Sequence, residues 1–148
     1  MLTITDTLIA EHRVFTDLFD QIESLLPNLT TPAEVKLLAT LVERLLQSHA
    51  DVEKNLAFAA LDHMLNDKRS LDRMHQDHHE IDGSLRRVQA APNFKEACRL
   101  LQKAIAASRV HFQYEEQSVF PQVEQVLHQD ALTALGTARL KPRVALAL

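Results

Sequence analysis

A chain with only two glycines, Gly83 and Gly136, and five prolines in 148 residues has few places where its backbone can reverse sharply. Long helices joined by a handful of connections are the expected outcome. Apolar residues recur at three- and four-residue intervals along the segments between the prolines, which is the spacing of a helix with one buried stripe.

The first segment predicts a helix from near Thr5 or Asp6 to just before Pro27, with Leu8, His12, Phe15, Phe19, Ile22 and Leu26 on one stripe. A second helix opens at Thr31-Pro32-Ala33-Glu34, where a capping hydroxyl, a proline at the first helical position and a glutamate complete a capping box. Its stripe of Val35, Leu38, Val42, Leu45, Leu56 and Ala60 reaches about Met64 and contains His49 and Glu53. Asn66 and Asp67 offer a turn and a new cap for a third helix from about Lys68 to Ala90, carrying Leu71, Met74, Ile81, Leu85 and Val88. Pro92 forbids simple continuation, and Asn93 with Glu96 caps a fourth helix whose face holds Ala97, Leu101, Ala104, Ser108, His111, Glu115 and Val119. Pro121 should kink or end that helix, and a short fifth helix is expected within 122–138.

These elements predict an all-α fold, an up-and-down antiparallel four-helix bundle with a short C-terminal fifth helix. One domain over residues 1–138 is expected, because 46% hydrophobic residues in a chain of this length can bury a full core. The tail, 139–148, mixes basic residues, Pro142 and the apolar run Val144 to Leu148, and could be loose, pack on the bundle or join a neighbour.

A net charge of −4 with scattered basic residues offers no footprint for nucleic acid or an anionic membrane. The lone Cys98 has no partner for a disulfide or a CxxC pair. No apolar run approaches membrane-spanning length, and the N-terminus lacks a positive region ahead of an apolar stretch, so a cytoplasmic setting is expected.

The chemistry lies in polar residues that interrupt the apolar stripes. Residues four apart on a helix project from one face, one turn apart. The second helix supplies His49 and Glu53, the third His75 and His79, the fourth His111 and Glu115, and the first adds His12. Alone on an apolar face, each would carry a desolvation cost of roughly several kcal/mol, which coordination of a shared metal removes. Five imidazoles and two carboxylates form a borderline set that suits iron, with zinc and manganese also chemically admissible. If two octahedral ions share both carboxylates and one solvent oxygen, three histidines complete one ion and two leave the other a ligand short. That count leaves an open position for a small molecule.

This pattern resembles the hemerythrin-like HHE cation-binding family: a lone histidine, then HxxxE, HxxxH and a last histidine followed closely by a carboxylate, over roughly residues 8–121. The resemblance implies a carboxylate-bridged pair of non-haem irons, with His75, His79 and His111 on one, His12 and His49 on the other, and Glu53 and Glu115 as bridges. Glu116 competes with Glu115. Oxygen carriers of the family have an aspartate five residues after the last histidine, whereas this chain has glutamates at four and five, which points toward the broader bacterial HHE group. No histidine follows a glutamate by three residues, so the Glu-x-x-His repeat of ferritin-like sites is missing.

His63, His78 and His128 are expected outside the ligand set, His78 facing solvent or supporting the site from behind. Gly83, one turn beyond His79, is expected to serve close helix packing rather than a channel. Three functions are compatible with the residues: binding dioxygen or nitric oxide for sensing, carriage or stress response; an enzyme of oxidative or nitrosative defence or iron-sulfur repair, acting on peroxide or nitric oxide; and iron storage or sensing. A redox partner fits the first two, and the oligomeric state is open.

Overall fold

A computed structural model describes residues 1–140, and all of their regular structure is helical. Helix α1 spans Ile4–Leu25, α2 Pro32–Val52, α3 Ala59–Met64, α4 Arg69–Gln89, α5 Phe94–Tyr114, α6 Phe120–Val126 and α7 Gln129–Leu140. The helix starts follow local chemistry. Thr3 and Asp6 exchange side-chain to backbone hydrogen bonds in a capping box at α1, and Thr31 and Glu34 do the same at α2. Asn93 accepts from the Glu96 amide at α5, while the Glu96 carboxylate turns to Arg99 instead.

Two features of the helical path depart from the periodicity. The expected second helix is α2 and α3 joined by one wide π-helical stretch, Glu53–Phe58, and α5 passes into α6 through another, Glu115–Val119. Each wide stretch begins at the glutamate of a His-x-x-x-Glu pair, and π insertions are frequent at functional sites. The second also explains why Pro121 does not stop the helix: it falls in the first turn of α6, where a missing N–H costs little. The expected fifth helix becomes two, α6 and α7. The tail beyond Leu140 lies outside the described residues.

The buried side chains form two apolar clusters. One gathers Phe15, Phe19 and Ile22 of α1, Val42 and Leu46 of α2, Ile81 and Leu85 of α4, and Leu101, Ile105 and Phe112 of α5. The other gathers Ile4 and Leu8 of α1, Val52 of α2, Leu71 and Met74 of α4, Val119, Phe120 and Val123. Along each long helix the chain therefore passes from one cluster to the other, and at the crossing stands a histidine or glutamate: His12 between Leu8 and Phe15, His49 between Leu46 and Val52, His78 between Met74 and Ile81, Glu115 between Phe112 and Val119. A polar layer is thus sandwiched between two hydrophobic ones.

The two glycines play opposite parts. A Cβ on Gly83 would meet only the tip of Arg87, at 3.6 Å, so the close packing expected there is not required. A Cβ on Gly136 would lie 2.3 Å from the Leu2 carbonyl oxygen and 2.7 Å from the Thr3 carbonyl carbon, both backbone atoms that cannot swing aside. Gly136 therefore lets α7 lie directly on the start of α1, with Leu132 buried beneath it. Gly136→Ala should cost about 1–3 kcal/mol, read as a lower urea midpoint with an unchanged slope.

Candidate metal centre

Four imidazoles and two carboxylates meet in the polar layer. His49 Nε2 lies 2.6 Å from Glu53 Oε1, and His111 Nε2 lies 2.7 Å from Glu115 Oε1, each pair one helical turn apart. His12 reaches in from α1, its Nε2 3.1 Å from His49 Nε2 and 3.7 Å from both Glu53 and Glu115. His78 reaches in from α4, its Nε2 2.9 Å from His111 Nε2 and 3.5 Å from Glu53 Oε2. Ligand atoms of His12, His49, Glu53 and Glu115 all lie within 4.8 Å of one another, as do those of His78, His111, Glu53 and Glu115. The two groups share both glutamates.

Both glutamates have no exposed surface, and none of their four oxygens has a hydrogen-bond donor in good geometry. Such groups normally carry a large penalty, because buried polar atoms are nearly always paired. The far sides of the imidazoles show why donors are missing. His49 Nδ1 lies 3.2 Å from Glu11, His111 Nδ1 3.0 Å from Asp77 and His12 Nδ1 3.3 Å from Glu116. An ionised carboxylate can only accept, so each of these Nδ1 atoms carries the proton and donates, which leaves Nε2 as a lone pair facing inward. Lone pairs of nitrogen and oxygen converge with no hydrogen between them. A cation satisfies that arrangement, and the donor set fits one.

Without a cation, protons must take its place, and the electrostatics show where. Burial alone would lower the His49 imidazole, but the charges and hydrogen bonds of Glu53 and Glu11 outweigh it and raise its pKa to about 9. Burial pushes the Glu53 carboxyl up, yet His49, His12 and His78 together hold it well below the usual range. Glu115 is raised well above that range, by burial first and then by the neighbouring Glu53 charge. His111 is depressed to about 4 by burial and by His78 beside it, against the pull of Asp77. Near neutral pH the metal-free site therefore holds an additional proton on His49, and Glu115 is the carboxyl of the pair that takes up a proton more readily. The His49 proton must leave before a metal can bind, so affinity should fall as pH falls below about 9, by up to about tenfold per pH unit, and the raised Glu115 carboxyl acts in the same direction. Competition with a chelator of known affinity between pH 8 and 6 measures this, and a flat profile would count against it.

Of the residues expected from sequence, the structure brings together His12, His49, Glu53, His111 and Glu115. His75 and His79 stand elsewhere: both are exposed, and neither is among the converging ligand atoms, although both line a cavity beside the site. His78 supplies the α4 nitrogen, in place of the HxxxH pair. The reason is rotational. Buried residues of α4 recur as Leu71, Met74, Ile81, Leu85 and Val88, and His78 completes that three-four alternation. At 100° per residue, His75 and His79 are turned about 90° and 130° from the centre of this stripe. A second signal is the Asp77-His78 pair, which repeats Glu11-His12 of α1: in both, the acid supports a histidine of the neighbouring helix and the histidine enters the cluster.

Glu116 is exposed and holds His12 from outside, while Glu115 faces the cluster. Tyr114 turns away and carries the Arg73 guanidinium 3.7 Å above its ring. His63 and His128 are exposed.

The surroundings are asymmetric. His12 stacks on Phe112 with ring centroids 4.1 Å apart, and Phe15 and Phe112 present their edges to His49. On the other side a cavity of about 300 Å³, lined by Phe58, Ile81 and Phe112 among others, touches His49, His78 and His111. His78 has 23% of its side chain exposed, against 2–4% for the other three histidines of the cluster.

No helix among the described residues is long and apolar enough to cross a membrane. Neither curated proteins nor solved structures yield a match to this chain. The family model for the hemerythrin HHE cation binding domain matches residues 3–123, which takes in every residue of the cluster and most of the chain. The chain therefore belongs to the hemerythrin HHE cation-binding family.

Proposed function

We propose that this protein holds two iron ions bridged by Glu53 and Glu115, with His12 and His49 on one ion and His78 and His111 on the other, and that it binds dioxygen or nitric oxide for sensing, carriage or stress response. The observation that carries this reading is the convergence of four imidazoles on four buried carboxylate oxygens that have no donor in good geometry. Two overlapping ligand groups sharing both carboxylates are what a bridged pair needs, and imidazole with carboxylate suits iron.

We place these helices in an up-and-down antiparallel bundle. The contacts support it: Arg109 of α5 pairs with Asp20 of α1 while the later Glu116 pairs with the earlier His12. Likewise Gln89 of α4 bonds to the Lys36 carbonyl of α2, Arg86 pairs with Glu43 and His78 approaches Glu53.

When bound, iron would supply reversible affinity for a diatomic ligand and one-electron chemistry. The chain's own contribution is positional. Glu116, Glu11 and Asp77 hold three imidazoles in the tautomer that faces inward, and Phe112 stacks against the His12 ring and fixes its plane. The cavity beside His78 and His111 gives a small molecule its approach.

Iron analysis of protein purified from iron-supplied cells tests the reading, together with its near-ultraviolet and visible spectrum. Two irons per chain, charge-transfer bands and a reversible spectral change on adding oxygen or nitric oxide to the reduced protein are expected. A protein that takes up neither iron, zinc nor manganese would overturn it.

A further inference from the structure

The two halves of the cluster are built alike, except behind one carboxylate. In each half, the histidine of a His-x-x-x-Glu pair gives its Nδ1 hydrogen to an acid on the neighbouring helix: His111 to Asp77, and His49 to Glu11. Behind Asp77 stands Arg73, one turn earlier on the same helix, with its Nε 3.8 Å away. Behind Glu11 there is no such neighbour on α1. Its second oxygen accepts instead from Arg139, in the last turn of α7. That helix lies outside residues 3–123, the part of the chain that matches the family. It is seated by Gly136 against the backbone of Leu2 to Ile4 and by buried Leu132.

We propose that α7, through Arg139, is a positioning element for the His12/His49 half of the metal site, so that docking of this helix and metal affinity in that half are coupled. The guanidinium fixes one oxygen of Glu11, and the other oxygen then stays on His49 Nδ1. An outer partner such as Glu11 orients a ligating imidazole and maintains its tautomer, and its loss typically weakens metal binding about 10–100-fold; Arg139 acts one contact further out, so the low end of that range, about tenfold, is the effect expected of it. With Arg139 gone, Glu11, at the edge of solvent, is free to turn outward and His49 to rotate. The His78/His111 half keeps Arg73, which belongs to its own helix and does not depend on α7. Coupling is reciprocal, so metal in the first half must also hold α7 more firmly to the bundle. Metal occupancy is thereby transmitted to a surface helix distant in sequence from the ligands. The proposal rests on His49 being a ligand.

Zinc, which is redox-inert, is the probe. The full chain and its Arg139→Met and Arg139→Lys variants are titrated in competition with a chromophoric chelator, and amide exchange along α7 is followed with and without zinc. The wild type should bind two equivalents. Arg139→Met should weaken one of them about tenfold and leave the other, with Arg139→Lys recovering much of the loss. Zinc should slow α7 exchange in the wild type and not in Arg139→Met. If Arg139→Met keeps native helicity and binds both equivalents as the wild type does, or if both weaken equally, the coupling is overturned while the metal site stands. A wild type that binds no zinc, iron or manganese overturns the site itself and the coupling with it.

Discussion

Loading the metal-free protein with ferrous iron under anaerobic conditions should raise its unfolding temperature by on the order of 15–30 °C. A ligand held at a thousand times its dissociation constant stabilises the folded state by about 4 kcal/mol per site, and a domain of this size gains about 2–4 °C per kcal/mol. Two sites together give the range. The metal-free state also starts from a disadvantage: protons replace the cation only in part, and the Glu115 oxygens, between two apolar clusters that offer no donor, have none in good geometry. An unpaired buried group costs about 1–3 kcal/mol. Glu115→Leu should therefore raise the midpoint of the metal-free protein by a few degrees while abolishing most of the gain from iron. This reversal of sign separates a metal site from a merely structural buried cluster, in which the same change would act equally with and without iron. Calorimetric melts of the wild type and Glu115→Leu, each with and without iron, supply the four numbers. Midpoints indifferent to iron would remove the basis for the whole site.

The parts of this architecture that can be read from residues alone are those decided within a turn or two of helix. The start of α2 is one: hydroxyl, proline and glutamate each act on backbone groups three residues away, so Thr31, Pro32 and Glu34 suffice. The His49/Glu53 and His111/Glu115 pairs are another, since a four-residue interval puts both side chains on one face whatever the helix packs against. The π-helical stretches are not legible, because Glu53–Phe58 and Glu115–Val119 share only the glutamate that begins each, which fits an α-helix equally well. Their extra residue is accommodated by packing on other helices. Pro121 misleads for the same reason, since its effect depends on the wide turn before it. The contact between Arg139 and Glu11 joins residues at opposite ends of the described chain, and no periodicity reports it. His78 is the instructive case. Its place in the three-four stripe of α4 was available to inspection, but the HxxxH spacing of His75 and His79 carries the family resemblance and points to a different face.

That difference yields the sharpest test of the site. His78→Ala should weaken one metal equivalent by more than about 100-fold, since losing a ligand costs more than losing its outer partner. His75→Ala and His79→Ala should retain both equivalents. All three variants lie in the exposed or half-exposed part of α4, so differences between them will not come from a collapsed core. The His78 variant should also enlarge the cavity at His111, because both imidazoles line it and their nitrogens lie 2.9 Å apart. The metal that remains would then be the one held by His12 and His49, behind Phe112 and Phe15, and it should exchange with free chelator more slowly than the one lost. Zinc stoichiometry and chelator off-rates for the three variants measure both effects. If His75→Ala or His79→Ala loses an equivalent and His78→Ala does not, α4 presents another face in the loaded protein, turned by about 60–100°. That rotation would take Met74, Ile81 and Leu85 out of their clusters, a cost in burial of about 1.5–3 kcal/mol for each side chain. The packing of α4 therefore argues for His78 as strongly as the distances do.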